Sequence, residues 1–174
     1  MLNSLITSKT RLKLLLKFFL NKDTRSYLRN LESEFGESTN AIRIELNRLE
    51  SAGLLNAELS GNKKIFQANT AHPLYTDINN ILKKVIGIDR IIEQVLSNIG
   101  DLNEAYLIGD LAVGKDSSVV DLLLIGKNIN RTYLSELVQK TEKHIERRLR
   151  YLVLNPDEKE AYLENNNSLL IWRA

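Results

Sequence analysis

The chain lacks cysteine, and this absence excludes disulfide bridges, thiolate catalysis and cysteine-ligated zinc. Its two histidines, His72 and His144, are far apart in the sequence, so a histidine-based metal site is not expected. Fully apolar runs are five residues long or shorter, which is too short for a membrane-spanning helix. No long apolar stretch follows the initial methionine, so no secretory signal is expected. These absences predict a cytoplasmic protein that binds no membrane, metal or other cofactor.

The residues that are present are typical of a globular protein. The 174 residues are 43% apolar and 26% charged, enough to bury the core of one domain or two small ones. The net charge of +2 is unevenly distributed: residues 1–70 carry 11 Lys and Arg against 7 Asp and Glu, whereas residues 71–103 and 104–174 each carry one excess acid. The basic excess is therefore confined to the first segment, where it permits a polyanionic partner.

Hydrophobic periodicity in the first segment predicts three helices and a hairpin. The expected elements are helices at 8–20, 25–34 and 39–52, followed by a β-hairpin at 54–68. Ser8 and Ser38 are suited to cap the first and third helices, and Gly36 is suited to end the second.

The third helix has two distinct faces. Ile42, Leu46 and Leu49 fall together and are expected to face the core. The opposite face carries Asn40, Ile44, Asn47 and Ser51, with Arg43 and Arg48 on its flanks. Asn pairs with adenine, Arg pairs with guanine, and an aliphatic side chain contacts a thymine methyl group, so this composition is typical of base reading in a major groove.

The run LNRLESAGLL at residues 46–55 resembles the end of the recognition helix in winged helix-turn-helix repressors of the arsenic-repressor type. The resemblance implies double-stranded DNA as a partner and a β-wing at 54–68. The DNA contacts that it implies are Thr39, Asn40, Arg43, Ile44 and Asn47 on the helix, and Lys63 and Lys64 at the wing tip. The alternative is a small helical domain used for protein contacts.

Residues 71–103 are interpreted as a helical connector, with a helix that starts near His72-Pro73 and a second helix after Gly87. Both helices are rich in isoleucine. We expect a homodimer interface here, because palindromic operators favour two-fold symmetric proteins. The alternative is that the helices pack on their own domain.

The last segment has the pattern of an α/β domain. Strands are expected at 105–108, 119–125 and 151–154, with helices at 132–149 and after Glu158. The stretch YLIGDLAVGKDSSVVDLLLIG at 106–126 is similar to minimal nucleotidyltransferases of the polymerase-beta type, and the shared positions are Gly109, Ala112, Gly114, Ser118 and Asp121.

The same resemblance implies two Mg²⁺ ions held by three carboxylates, and here most of that pattern is missing. The first acid aligns with Val119, a phosphate-contacting serine aligns with Asp110, and residues 151–153 offer no third acid. Gly109, Asp110, Val119 and Asp121 therefore form a degenerate site, and no catalytic residue is assigned. Asp121 is expected to bond loop amides; a single-metal site with Asp110 is the alternative. Arg147, Arg148 and Arg150 are interpreted as surface charge.

The sequence thus predicts an α+β protein that is not an enzyme. It joins a winged helix-turn-helix domain at 1–70, a connector at 71–103 and a nucleotidyltransferase-like domain at 104–174. The predicted function is that of a DNA-binding transcriptional regulator. Its last domain would serve as a sensor of a small-molecule or protein effector, as a dimerisation module or as a partner-binding module. The alternatives are an active nucleotidyltransferase and an antitoxin-like protein-interaction module.

Overall fold

The computed structural model describes residues 5–174, which form a mixed α+β structure with two β-sheets, as the sequence predicts. Two compact units are present. Unit 1 runs up to Leu82 and includes Gly114–Asp116, and unit 2 contains Lys83–Val113 and Ser117–Ala174. The main division falls inside a helix, whereas the segments expected from composition divide at residues 70 and 103.

From Lys9 onward, unit 1 is built of helices and one antiparallel sheet. Its elements are α1 (Lys9–Phe19), β1 (Arg25–Tyr27), α2 (Leu28–Phe35), α3 (Thr39–Ser51), β2 (Leu55–Ser60), β3 (Lys63–Ala68) and the start of α4 (Tyr75–Ile86). The strand order is β1-β3-β2, and β2 and β3 form the expected hairpin.

The core of unit 1 follows the apolar stripes of its helices. Leu14 and Phe18 of α1 are fully buried, and Ile42 and Leu46 of α3 are buried beside them. The predicted core face of the third helix is therefore confirmed. Ser38 caps α3 by accepting a hydrogen bond from the Ala41 N–H at 3.2 Å, also as expected.

The prediction of a helix over 25–34 is wrong in its first turn. Residues Arg25–Tyr27 form β1, in which Ser26 pairs with Phe66 and is buried. Pairing with β3 satisfies the backbone of these three residues, and this tertiary contact overrides a helical pattern that continues only from Leu28 onward.

Unit 2 is built on a four-stranded sheet in the order β6-β5-β4-β7. After α4 its elements are α5 (Ile88–Gln94), β4 (Leu102–Ile108), α6 (Gly109–Ala112), β5 (Val119–Gly126), α7 (Arg131–Ile145), β6 (Arg148–Leu154), α8 (Lys159–Asn165) and β7 (Ser168–Arg173). Strands β5 and β6 are parallel and are connected through α7, whereas β4 is antiparallel to both of its neighbours. No helix within residues 5–174 is both long and apolar enough to cross a membrane.

Two predictions for this part of the chain are wrong. The helix expected at 132–149 ends at Ile145, because Glu146 takes a left-handed conformation with φ of 54° and the chain then enters β6. Leu149, expected on the helix, is instead buried in β6 opposite Val120. Strand β7 was not expected at all. It completes the sheet by pairing with β4.

The glycine at the α4–α5 junction yields a stability prediction. Gly87 has φ of 93°, and a Cβ there would lie 2.5 Å from Ile145 Cγ2, whereas Gly100 has a similar φ of 89° with open space around it. Gly100→Ala therefore incurs only the left-handed strain of about 1–2 kcal/mol, and Gly87→Ala adds about 1–3 kcal/mol of overpacking. Chemical denaturation followed by circular dichroism should show the larger loss for Gly87→Ala. Equal losses would mean that the contact with Ile145 does not constrain the fold.

Candidate functional site

Helix α3 presents the polar face that the sequence predicts. Asn40, Arg43, Ile44 and Asn47 are exposed, and Thr39 is half-buried at the first turn. Ile44 is 42% exposed, an apolar side chain set among amides. All five helix residues expected to contact DNA therefore lie on α3, and four of them are exposed to solvent.

A groove runs between α3, the start of α2 and the β2–β3 hairpin. Its volume is about 450 Å³, and Leu46 and Phe66 are among its apolar lining residues. Its lining also includes four cationic side chains: Arg29, Arg43, Lys63 and Lys64. Among the described residues, no carboxylate lies within ion-pair distance of Arg29 or Arg43. The groove therefore presents cationic side chains that are unpaired within residues 5–174, next to the amide-rich face.

The two lysines of the hairpin have different surroundings. Lys64 Nζ lies 2.6 Å from Glu50 Oε2, so its charge is neutralised within the protein. Lys63 Nζ instead lies 4.4 Å from the centroid of the Tyr27 ring, a contact that orients the ammonium group without cancelling its charge. Of the two wing residues expected to contact DNA, Lys63 is thus the one whose charge is available.

Many of the basic side chains in residues 1–70 form ion pairs within unit 1. Lys13 pairs with Glu37 and Lys17 pairs with Glu34, each at 2.8 Å, and Arg25 of β1 pairs with Glu58 of β2. Charge composition therefore overstates the number of cations that α1 and β1 can offer to a polyanion. Arg29, Arg43 and Lys63 of the groove have no such ion-pair partner among the described residues.

Glu45 is a buried carboxylate on α3 that sequence reasoning missed. Its side chain is 7% exposed; Arg11 Nε donates to Oε2 at 2.8 Å, and Ser8 Oγ and Arg48 donate to Oε1. Burial acts to raise the pKa of Glu45, but the hydrogen bonds and charge of Arg11, with Ser8 and Arg48, outweigh burial and lower it. The sequence signal that could have identified Glu45 was an acidic residue at the border of the core face of α3.

Unit 2 places the residues of the degenerate site around the end of β4 and the start of β5. Ile108 of β4 pairs with Asp121 of β5, and Gly109 follows with φ of 67°. A Cβ on Gly109 would lie 2.9 Å from Asp121 Oδ2, so glycine is required for this close approach. Gly109, Asp110 and Asp121 are therefore close together, with Val119 two residues before Asp121 on the same strand.

Asp121 is bonded by Arg150, not by the loop amides that the sequence indicates. Arg150 Nε and a terminal nitrogen donate to the two carboxylate oxygens at 2.6 and 2.9 Å, and the two residues are opposite each other in the β5–β6 register. This fork raises the pKa of Arg150, through the hydrogen bond first and the charge of Asp121 second. Arg150 is thus a specific partner of Asp121 as well as a surface charge.

This arrangement does not fit a pair of Mg²⁺ ions. Mg²⁺ requires hard oxygen ligands, but Val119 has none, and both oxygens of Asp121 accept hydrogen bonds from a cation. Within residues 5–174 no three His, Asp or Glu side chains are grouped closely enough to hold a metal ion. The donor set therefore does not match the two-metal site, and the oxygens that Asp121 would offer to a single-metal site with Asp110 are bonded to Arg150.

The connector helices differ in how much of their apolar surface is buried. On α5, Ile88 and Ile91 are fully buried within unit 2, so these isoleucines form core. On the unit 1 part of α4 and just before it, Ile81 is 50% exposed and Leu74 is 52% exposed. The apolar surface that remains open is therefore the face of α4.

Comparisons with known proteins give weak structural likenesses. No family model matches the sequence, and no curated protein is detectably similar. A predicted DNA-binding transcriptional regulator from E. coli is 20% identical over 48% of this chain and 84% of its own, with a TM-score of 0.38.

A proposed nucleotidyltransferase from Sulfolobus solfataricus is 25% identical over 55% of this chain and 86% of its own, with a TM-score of 0.39. The protein AF1382 from Archaeoglobus fulgidus is 17% identical over 53% of this chain and 98% of its own, also with a TM-score of 0.39. Each likeness covers about half of the chain, and none decides the function.

Proposed function

We propose that the protein is a DNA-binding transcriptional regulator in which unit 1 is a winged helix-turn-helix. Helix α3 is the recognition helix and the β2–β3 hairpin is the wing. The observation that carries this proposal is the positively charged groove, lined by Arg29, Arg43 and Lys63, beside the amide-rich face of α3.

The two parts of this surface suit two kinds of contact. Phosphate groups require cations, and the groove offers Arg29 and Lys63. Base edges are read by side chains that form paired hydrogen bonds. Asn40 and Asn47 each offer a donor and an acceptor, and Arg43 offers two donors, on a helix that fits the major groove. The groove therefore positions the protein on the DNA backbone while α3 reads the sequence.

Variants of the helix and the wing should separate these roles. Arg43→Ala should cost about 1–3 kcal/mol on a preferred site and relax the preference at one base position. Lys63→Ala should weaken binding to all sequences and lower the slope of log affinity against log salt by about 0.9, because one phosphate contact is lost. Lys64→Ala should have a smaller effect, since Glu50 already neutralises that lysine.

The measurement is fluorescence anisotropy on labelled duplexes at several salt concentrations, after selection of preferred sites from a random library. Arg131→Ala, an exposed arginine at the start of α7, is the matched control for loss of one charge. Binding by Arg43→Ala and Lys63→Ala that equals the parent's would refute the assignment of recognition helix and wing, and would favour the protein-interaction alternative.

We further propose that unit 2 is a nucleotidyltransferase-like domain without transferase activity, which acts as a sensor, dimerisation or partner-binding module. Arg150 supports this proposal, because its guanidinium bonds both oxygens of Asp121, the one acid that remains of the metal site implied by the resemblance. A divalent cation at Asp121 would have to compete with this guanidinium for the same two oxygens.

A transfer assay tests the second proposal. We expect no incorporation of labelled nucleotide from ATP, GTP, CTP or UTP into the protein or added acceptors with Mg²⁺ or Mn²⁺ present. Val119→Asp alone should remain inactive, because Arg150 still occupies Asp121 and a third carboxylate is missing. Incorporation by the parent that is abolished in Asp121→Asn would overturn the proposal and make the protein an enzyme.

The regulator is proposed to act as a homodimer through α4. Leu74, Ile78 and Ile81 lie at helical spacing, and two of the three are at least half exposed. Two-fold symmetry would let two recognition helices meet two half-sites.

Analytical ultracentrifugation at micromolar concentration should show a dimer for the parent and a monomer for Ile81→Glu, because a charge at a buried interface position is costly. Leu152→Glu, at an exposed apolar residue of unit 2, is the control and should remain dimeric. A monomeric parent at all concentrations would contradict the proposed interface.

A further inference from the structure

Arg48 lies at the border of the exposed face of α3, on the side away from the groove. At about 100° per residue, Arg48 is about 140° around the helix from Arg43. Arg43 lines the groove and Arg48 does not. The two arginines therefore bracket the amide-rich face of α3 from opposite sides.

The Arg48 guanidinium is anchored while most of its side chain remains open. One terminal nitrogen donates to Glu45 Oε1 at 3.0 Å, and the side chain is 62% exposed. Glu45 is itself fixed by the Arg11 fork and by Ser8, the residue that caps α1. The anchor is therefore part of the packed contact between α1 and α3.

The charges of this cluster leave an excess. Two guanidinium groups, from Arg11 and Arg48, share the single carboxylate of Glu45, so one positive charge remains uncompensated beside the exposed face. A guanidinium has five N–H donors, and Arg48 uses one of them on Glu45. An arginine already held in one orientation loses less freedom when it binds.

We propose that Arg48 contacts a DNA phosphate and that Glu45 is the positioning residue that holds it for this contact. This inference rests on the DNA-binding function proposed above and adds a second anchor on the α1 side of the recognition helix. The partner chemistry is the phosphodiester backbone of duplex DNA, because Arg48 lies on the α1 flank of the exposed face and its open guanidinium can pair with two oxygens of an anion.

The first test measures binding of the full chain to a fluorescein-labelled duplex of mixed sequence at several salt concentrations. Arg48→Gln should lower the slope of log affinity against log salt by about 0.9, and Arg131→Gln should leave it unchanged. If the parent binds and Arg43→Ala weakens it, but Arg48→Gln has the parent's slope, this inference fails and the DNA-binding function stands. If no variant in unit 1 affects binding, the function itself fails.

The second test separates position from charge. Arg48→Lys keeps the charge but lacks the paired N–H donors of a guanidinium. Its salt slope should therefore equal the parent's, while its affinity is lower at every salt concentration. Affinity equal to the parent's would overturn the contact of the Arg48 guanidinium with a phosphate through paired hydrogen bonds.

A double-mutant cycle gives an independent measure. In a Glu45→Gln background, the loss caused by Arg48→Gln should shrink, because Arg48 is no longer held. Additive losses would contradict the proposal. Should circular dichroism show that Glu45→Gln does not fold, Arg11→Lys loosens the same anchor through a more exposed side chain and replaces it in the cycle.

Discussion

Placement of the proposed recognition helix depends on one buried carboxylate. Glu45 ties the middle of α3 to the first turn of α1 through Arg11 and Ser8, while Ile42 and Leu46 pack the same side of the helix into the core. Breaking a buried ion pair by removing one partner leaves an uncompensated charge, which is strongly destabilising. Apolar contacts therefore keep α3 folded against the unit, and the charged contact fixes its rotation and its distance from α1.

In unit 2, the ion pair between Arg150 and Asp121 has a different consequence. The parallel pairing of β5 and β6 puts residue 150 opposite residue 121, so the side chain at 150 determines whether Asp121 is free to bind a metal. Arginine at that position neutralises Asp121 within the protein. Gly109 approaches Asp121 closely on the other side, because a Cβ on Gly109 would lie 2.9 Å from Asp121 Oδ2. Asp121 is therefore confined between the Gly109 loop and Arg150.

Whether the sequence predicts a structural feature depends on how far apart in the chain the interacting residues lie. Predictions from local patterns were correct: the Ser38 cap, the core face of α3 and the β2–β3 hairpin depend on neighbouring residues. Failures came where a distant partner decides. Residues 25–27 form a strand by pairing with β3, and residues 148–149, expected on the helix, pair with β5 instead.

The candidate site follows the same rule. The exposed residues of α3 could be read from a helical wheel, since their position depends on the helix alone. The pairs Glu45–Arg11, Lys63–Tyr27 and Asp121–Arg150 join residues at least 29 positions apart, and no sequence spacing indicates such a contact. Other such long-range pairs decide which cations remain available. Glu50 neutralises Lys64 but not Lys63, and Glu37 and Glu34 neutralise Lys13 and Lys17 of α1.

Amide hydrogen exchange with and without DNA tests the central claim most directly, because it locates the bound surface without any substitution. With a saturating amount of a selected duplex, the account predicts slower exchange in peptides that cover residues 39–51 and 60–65. Exchange in residues 148–154 of β6 should be unchanged. Protection confined to unit 2, or no protection of α3 and the hairpin while DNA is bound, would contradict the account.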